Sequence, residues 1–163
     1  MLTEVLLNIF FLIPNFILSL PFTYFGLAGY SPNEVRAYWQ PPGYVFGIVW
    51  PILYLLFGII NYRALYNYKL SYNVANEIID ASLKEALGQS LWLLVTSNFG
   101  NGRTFWQHFI GLGIMFYLVK LAFSRFTFFN QNDQFSKLLY IPYLIWICFA
   151  FILNLQIIIR YFD

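Results

Sequence analysis

Glu85, Gln89, Trp92 and Thr96 could together hold a polar group in an apolar setting. Their spacing of i, i+4, i+7 and i+11 puts a carboxylate, an amide, an indole and a hydroxyl along one helix face. Such a face is not expected to look at lipid, because an unpartnered polar group in hydrocarbon is costly. Two readings stay open: hydrogen bonding between helices, or the lining of a cavity for a polar ligand. A second set is aromatic. Phe46, Trp50 and Tyr54 stand at i, i+4 and i+8 with Phe57 on the same flank, and broad rings suit a broad, flat guest. Trp and Tyr also populate the membrane interface, but Trp50 lies deep in its apolar run for that role, whereas Trp106 fits it. Further on, Trp146, Ala150 and Asn154 share a face, placing a small residue between a ring and an amide.

Conventional catalysis has little to work with. His108 is the one histidine, and a hydrogen-bonded structural group is the preferred reading over a haem ligand or general base. Cys148 is the one cysteine, which excludes intramolecular disulfides, zinc clusters and dithiol chemistry. No nucleophile elbow, metalloprotease motif, close carboxylate pair or glycine-rich phosphate loop occurs. No catalytic residue, metal site or required cofactor is therefore expected.

The elements that would position these residues follow from composition. Of 163 residues, 60% are apolar, 23% aromatic and 10% charged. A water-soluble surface cannot be clothed with 9 basic and 7 acidic residues, so lipid is the expected solvent. The net charge of +2, without a basic cluster, argues against nucleic acid. A membrane helix needs roughly 20 apolar residues, and five stretches qualify: about 5–28, 44–62, 81–99, 105–123 and 138–159. The fold expected is all-α, a single bundle of five transmembrane helices, with the longest connections at Gly29–Gly43 and Arg63–Asp80. The run Val5–Ala28 reads as a span rather than a signal peptide. Its Pro14 and Pro21 are tolerable in lipid, and no basic residue precedes Arg36. Arg63, Lys69, Arg125 and Lys137 would fall in connections on one side, against Arg36, Arg103 and Arg160 on the other. Lys84 and Lys120, if they snorkel, tilt the N-terminus toward the cytosol.

The segment Arg36-Ala37-Tyr38-Trp39-Gln40-Pro41-Pro42-Gly43-Tyr44-Val45-Phe46-Gly47-Ile48-Val49-Trp50-Pro51-Ile52-Leu53-Tyr54 resembles the TspO/MBR family, the translocator proteins or tryptophan-rich sensory proteins. A second block, Pro142-Tyr143-Leu144-Ile145-Trp146 with Ala150 and Asn154, is similar to the family's last helix, and Glu85, Gln89, Trp92 and Phe99-Gly100 match its third more loosely. The resemblance implies five packed membrane helices. It also implies a cleft for porphyrins, sterols or synthetic aromatics under the linker between the first two. By position it assigns Trp50 and Trp146 to porphyrin handling, Tyr54 and Trp92 to an aromatic wall and Gln89 to a polar anchor, and makes Ala150 ligand-sensitive. Trp39, Phe46 and Asn154 complete the candidate ligand site, with Arg36 able to reach an edge carboxylate.

Departures shift the expected ligand. Gln89 and Glu85 replace an asparagine and a glutamine of the family pattern, Leu93 and Leu94 replace prolines, and Leu155 stands where a sterol motif needs an aromatic. Tetrapyrrole, porphyrin or haem, is ranked ahead of sterol. The leading function is binding, transport or regulation with a hydrophobic small molecule; the alternatives are light- or oxygen-dependent porphyrin degradation and a purely structural helix assembly. Expected partners are the bilayer, the small molecule and a second copy of the chain. Gly43, Gly47, Gly111 and Gly113 would offer close helix approach for such a homodimer. The family resemblance leaves open the cell membrane, the mitochondrial outer membrane and endomembranes.

Overall fold

A computed structural model describes residues 34–66, 70–97 and 102–163. Among these the chain is all-α: α1 Gly43–Tyr66, α2 Tyr72–Val95, α3 Phe105–Asn132 and α4 Gln134–Ile159. They correspond to the second to fifth expected spans; the first, Val5–Ala28, and the Phe99-Gly100 block lie outside the described residues.

The helices outrun the apolar stretches. Hydropathy starts α2 at Ala81, but Ser71 caps it ten residues earlier, its Oγ accepting from the Val74 N–H at 3.4 Å, so most of the expected Arg63–Asp80 linker is helical. Likewise α3 continues past Phe123 to Asn132, and α4 begins at Gln134 rather than Leu138. Hydropathy detects immersion in lipid, whereas capping and packing set helix length. Arg125 and Lys137 are therefore not loop charges: Arg125 is buried inside α3, and Lys137 lies in the first turn of α4.

Asp133 alone separates α3 from α4. Its N–H donates to Phe129 O at 2.9 Å, closing one helix, while its carboxylate accepts from the Phe135 N–H at 3.2 Å and the Ser136 hydroxyl at 2.5 Å, opening the next. Arg63 from the end of α1 reaches the same carboxylate at 3.2 Å. At the opposite end, Gly102 turns the chain at φ 80, a left-handed conformation suited to glycine. Thr104 then opens α3 with a reciprocal capping box: Gln107 N–H to Thr104 Oγ1 at 3.3 Å and Thr104 N–H to Gln107 Oε1 at 2.9 Å.

Three helices, α1, α3 and α4, are long and apolar enough to cross a membrane, at 24, 28 and 26 residues. Pro51 and Pro142 sit inside α1 and α4 without ending them. The helices alternate in direction and close a ring in which α1 packs on α2, α2 on α3, α3 on α4 and α4 back on α1. The α1–α4 seam is the least extensive of the four contacts and the α3–α4 contact the most. No direct backbone approach joins α2 to α4 across the ring. Long side chains span it instead.

Candidate functional site

The face Glu85, Gln89, Trp92, Thr96 does turn inward, with Glu85 fully buried and Gln89 and Thr96 nearly so. It divides into two parts with different partners. Glu85 forms an ion pair with Arg125 of α3 and accepts from the hydroxyl of Tyr140 of α4. Arg125 also donates to Ser82 Oγ at 2.5 Å and Ile78 O at 3.2 Å, and Ser82 in turn donates to Asn61 Oδ1 of α1 at 2.5 Å. The guanidinium lies 5.1 to 5.5 Å from the ring centroids of Phe129, Tyr140 and Phe57, a cation–π setting on several sides. All four helices meet in this layer. This half of the face holds helices together.

The other half is unsatisfied. Gln89 Nε2 donates to the Tyr143 hydroxyl at 3.1 Å, but Gln89 Oε1, Trp92 Nε1 and Trp146 Nε1 are buried without a hydrogen-bond partner among the described residues. Buried polar atoms are almost always paired, so each of these, one acceptor and two donors, is open to a polar guest or water. Gly111 makes the convergence possible. A Cβ there would come within 2.8 Å of Thr96 Cγ2, 3.3 Å of Trp92 Nε1 and 3.5 Å of Asn154 Nδ2. Gly111 thus faces the bundle interior and is not part of an outer small-residue surface with Gly113, which faces open space. Gly111→Ala is expected to lower the unfolding free energy in detergent by about 1 kcal/mol: overpacking costs about 1–3, offset in part by better helix propensity. A stabilised variant would show that Thr96 and Trp92 yield freely.

The aromatic residues come together across the α1–α4 seam. Trp50 and Trp146 meet edge to face with ring centroids 6.5 Å apart at 90°. Phe46 meets Trp146 at 5.4 Å, Tyr54 meets Trp50 at 5.5 Å, and Trp146 stacks on Phe149 at 5.3 Å. Trp39, 43% exposed, reaches Phe149 at 5.4 Å. Ala150 is buried on the same side of α4. Trp106 is 67% exposed and fits an interfacial position.

A second polar layer closes the end of the bundle nearest the α1 N-terminus. Asn154 Oδ1 faces His108 Nδ1 at 3.3 Å, a contact in which the side-chain carbonyl accepts from Nδ1–H. His108 is thus hydrogen-bonded at Nδ1, while its Nε2 has no hydrogen-bond partner among the described residues. Its Nε2 lies 3.8 Å from Glu34 Oε1, and Glu34 pairs with Arg103 at 2.6 Å. Arg103 donates to Thr96 O, and its own carbonyl accepts from the Tyr161 hydroxyl at 2.9 Å. Arg160 donates to Arg36 O and lies 4.1 Å over the Tyr38 ring, tying the segment before α1 to the end of α4. Arg36 itself is exposed at this mouth. No group of three His, Cys, Asp or Glu residues suited to a metal occurs among the described residues.

Sequence reasoning missed Arg125, Tyr140, Tyr143, Glu34 and Arg103. A signal for Arg125 was present: His108, Gly111, Met115, Leu118, Ala122, Arg125 and Phe129 recur at spacings of three and four, the buried face of one continuous helix.

None of the curated proteins compared with the chain matches it. A family model does: that of the TspO/MBR family, over residues 10–160. With three helices fit to cross a bilayer, the match makes the chain an integral, multi-pass membrane protein. Nearly its whole length is covered, and the chain belongs to the TspO/MBR family.

Proposed function

We propose that the protein binds a flat, hydrophobic small molecule, tetrapyrrole in preference to sterol, beside Trp50, Tyr54, Gln89, Trp92, Trp146 and Ala150, and that it transports the ligand or acts as its sensor. The observation that carries this reading is the meeting of Trp50 and Trp146, from helices far apart in the chain, in a bundle where the Trp92 and Trp146 N–H groups and the Gln89 amide oxygen are buried without a hydrogen-bond partner among the described residues. Indole faces suit the plate of a porphyrin, and its edge carboxylates would lie toward the mouth, where Arg36 is exposed. In this reading α2 crosses the bilayer together with the three more apolar helices, shielded by the Glu85–Arg125 pair, and Val5–Ala28 supplies a fifth span. No cofactor is needed for binding.

A structural role accounts for the Glu85 half of the inward face, where among the named groups Arg125 Nε alone lacks a hydrogen-bond partner among the described residues, better than for the Gln89–Trp92 half. Titrating the detergent-solubilised protein with protoporphyrin IX, followed at the Soret band, should show saturable binding in the micromolar range. Trp50→Phe with Trp146→Phe should weaken it about tenfold, the combined worth of two ring contacts. Unchanged affinity in the double variant would remove the site from these indoles. Competition by cholesterol stronger than by a second porphyrin would reverse the ligand ranking.

A further inference from the structure

Among the described residues a polar layer lies toward each end of the bundle interior. At one end Glu85, Arg125, Ser82, Asn61 and Tyr140 interlock with almost no exposure. Toward the other, the Glu34–Arg103 pair is 2% and 10% exposed, with His108, Asn154 and Thr96 buried behind it. A large apolar guest passing through either layer would have to separate buried charges, which is strongly unfavourable in a low-dielectric interior.

The α1–α4 seam differs in each respect. It is the least extensive helix contact of the ring. Phe46, Trp50, Trp146 and Phe149 along it are only half-buried. No charged residue occurs from Tyr44 to Tyr62 or from Leu138 to Ile159. The neighbouring Ile48 and Ile52 of α1 and Ile145 and Ile152 of α4 are all more than half exposed, the outer surface expected to meet acyl chains in a multi-pass membrane protein. Ring-on-ring contact across such a seam is directional but weak, roughly 0.5–1.5 kcal/mol per pair, so it parts far more readily than an ion pair. At 6.5 Å and 90° the two indoles touch each other and leave no slot for a plate between them. They must move apart before a flat molecule can pass.

We propose that the ligand enters sideways from the bilayer through the aromatic seam between α1 and α4, with the Trp50–Trp146 contact as its closed gate. This rests on the binding site proposed above and adds the route: a molecule already dissolved in lipid reaches the site without crossing an aqueous mouth. Lipid partitioning would then concentrate the guest at the portal. Phe149, stacked on Trp146 and touching Trp39, braces the gate on its α4 side.

The test uses the full chain in phosphatidylcholine vesicles. A Trp39→Phe, Trp92→Phe, Trp106→Phe variant leaves emission from Trp50 and Trp146. Doxyl-labelled phosphatidylcholine should quench that emission more strongly than aqueous iodide does, and the rate at which protoporphyrin associates with the wild-type protein should follow its concentration in the membrane. Phe149→Ala should raise association and dissociation rates together by roughly threefold to tenfold, with a smaller change in affinity; a brace with only a structural role would not speed both. Quenching by iodide but not by doxyl lipid, or a rate set by the aqueous porphyrin concentration, overturns the portal. Failure of protoporphyrin to bind at all removes the proposed ligand, while the two quenchers still decide the route by which the seam is reached.

Discussion

Glu85→Leu and Arg125→Leu, made singly, should each destabilise the protein by about 3–5 kcal/mol, because each strands its partner's charge inside the bundle. Glu85 and Arg125 have side chains 0% and 1% exposed, so water cannot compensate either of them. Losing Arg125 also empties a site faced by three aromatic rings and removes a donor to Ser82 and Ile78. Losing Glu85 leaves both Arg125 and the Tyr140 hydroxyl without their carboxylate. The double replacement should cost less than the sum of the singles by about 2–3 kcal/mol, since it removes both charges at once. Unfolding of the four proteins in detergent completes the cycle. Additive costs would mean that the two charges do not depend on each other and that the layer holds through its hydroxyls and rings.

Asp133→Ala is the second large effect, expected at about 2–3 kcal/mol. One residue closes α3, caps α4, holds Ser136 and receives Arg63. Loss of an N-cap side chain costs about 1 kcal/mol, and the Ser136 hydroxyl, fully buried, would be left unpaired at about 1–3 kcal/mol. The half-exposed Arg63 contact adds little. Burial alone would raise the Asp133 carboxyl, but the Ser136 hydroxyl and the Arg63 guanidinium outweigh it and hold it below the ordinary carboxylate range. A depressed folded-state value means that the carboxylate's contribution is complete above the unfolded value of about 4 and disappears as pH falls through the folded one. Wild-type stability should therefore drop on acidification below about pH 4, and Asp133→Asn, which keeps a side-chain acceptor for the cap, should lack that part of the drop. An identical acid profile in the Asn variant would show that the corner is held without the charge.

The resemblance to a membrane family and the inward turn of Glu85, Gln89, Trp92 and Thr96 were readable without coordinates. Hydrophobic periodicity and local motifs are properties of neighbours in sequence, and lipid enforces them strictly. Helix ends were not, because Ser71, Thr104 and Asp133 extend helices through polar residues that a hydropathy window scores as loop.

What sequence alone determined, then, is the solvent, the helical class, three of the five expected apolar spans and which faces must be hidden, since each depends on side-chain type and a fixed rise per residue. Only the tertiary structure decided what those faces meet. It gave Glu85 to Arg125, a pairing 40 residues apart in the chain. It set Gly111 against Thr96, Trp92 and Asn154, and brought Trp50 to Trp146 across the least extensive seam of the ring. Partners on different helices are chosen by packing the whole bundle at once, and no local spacing carries that information.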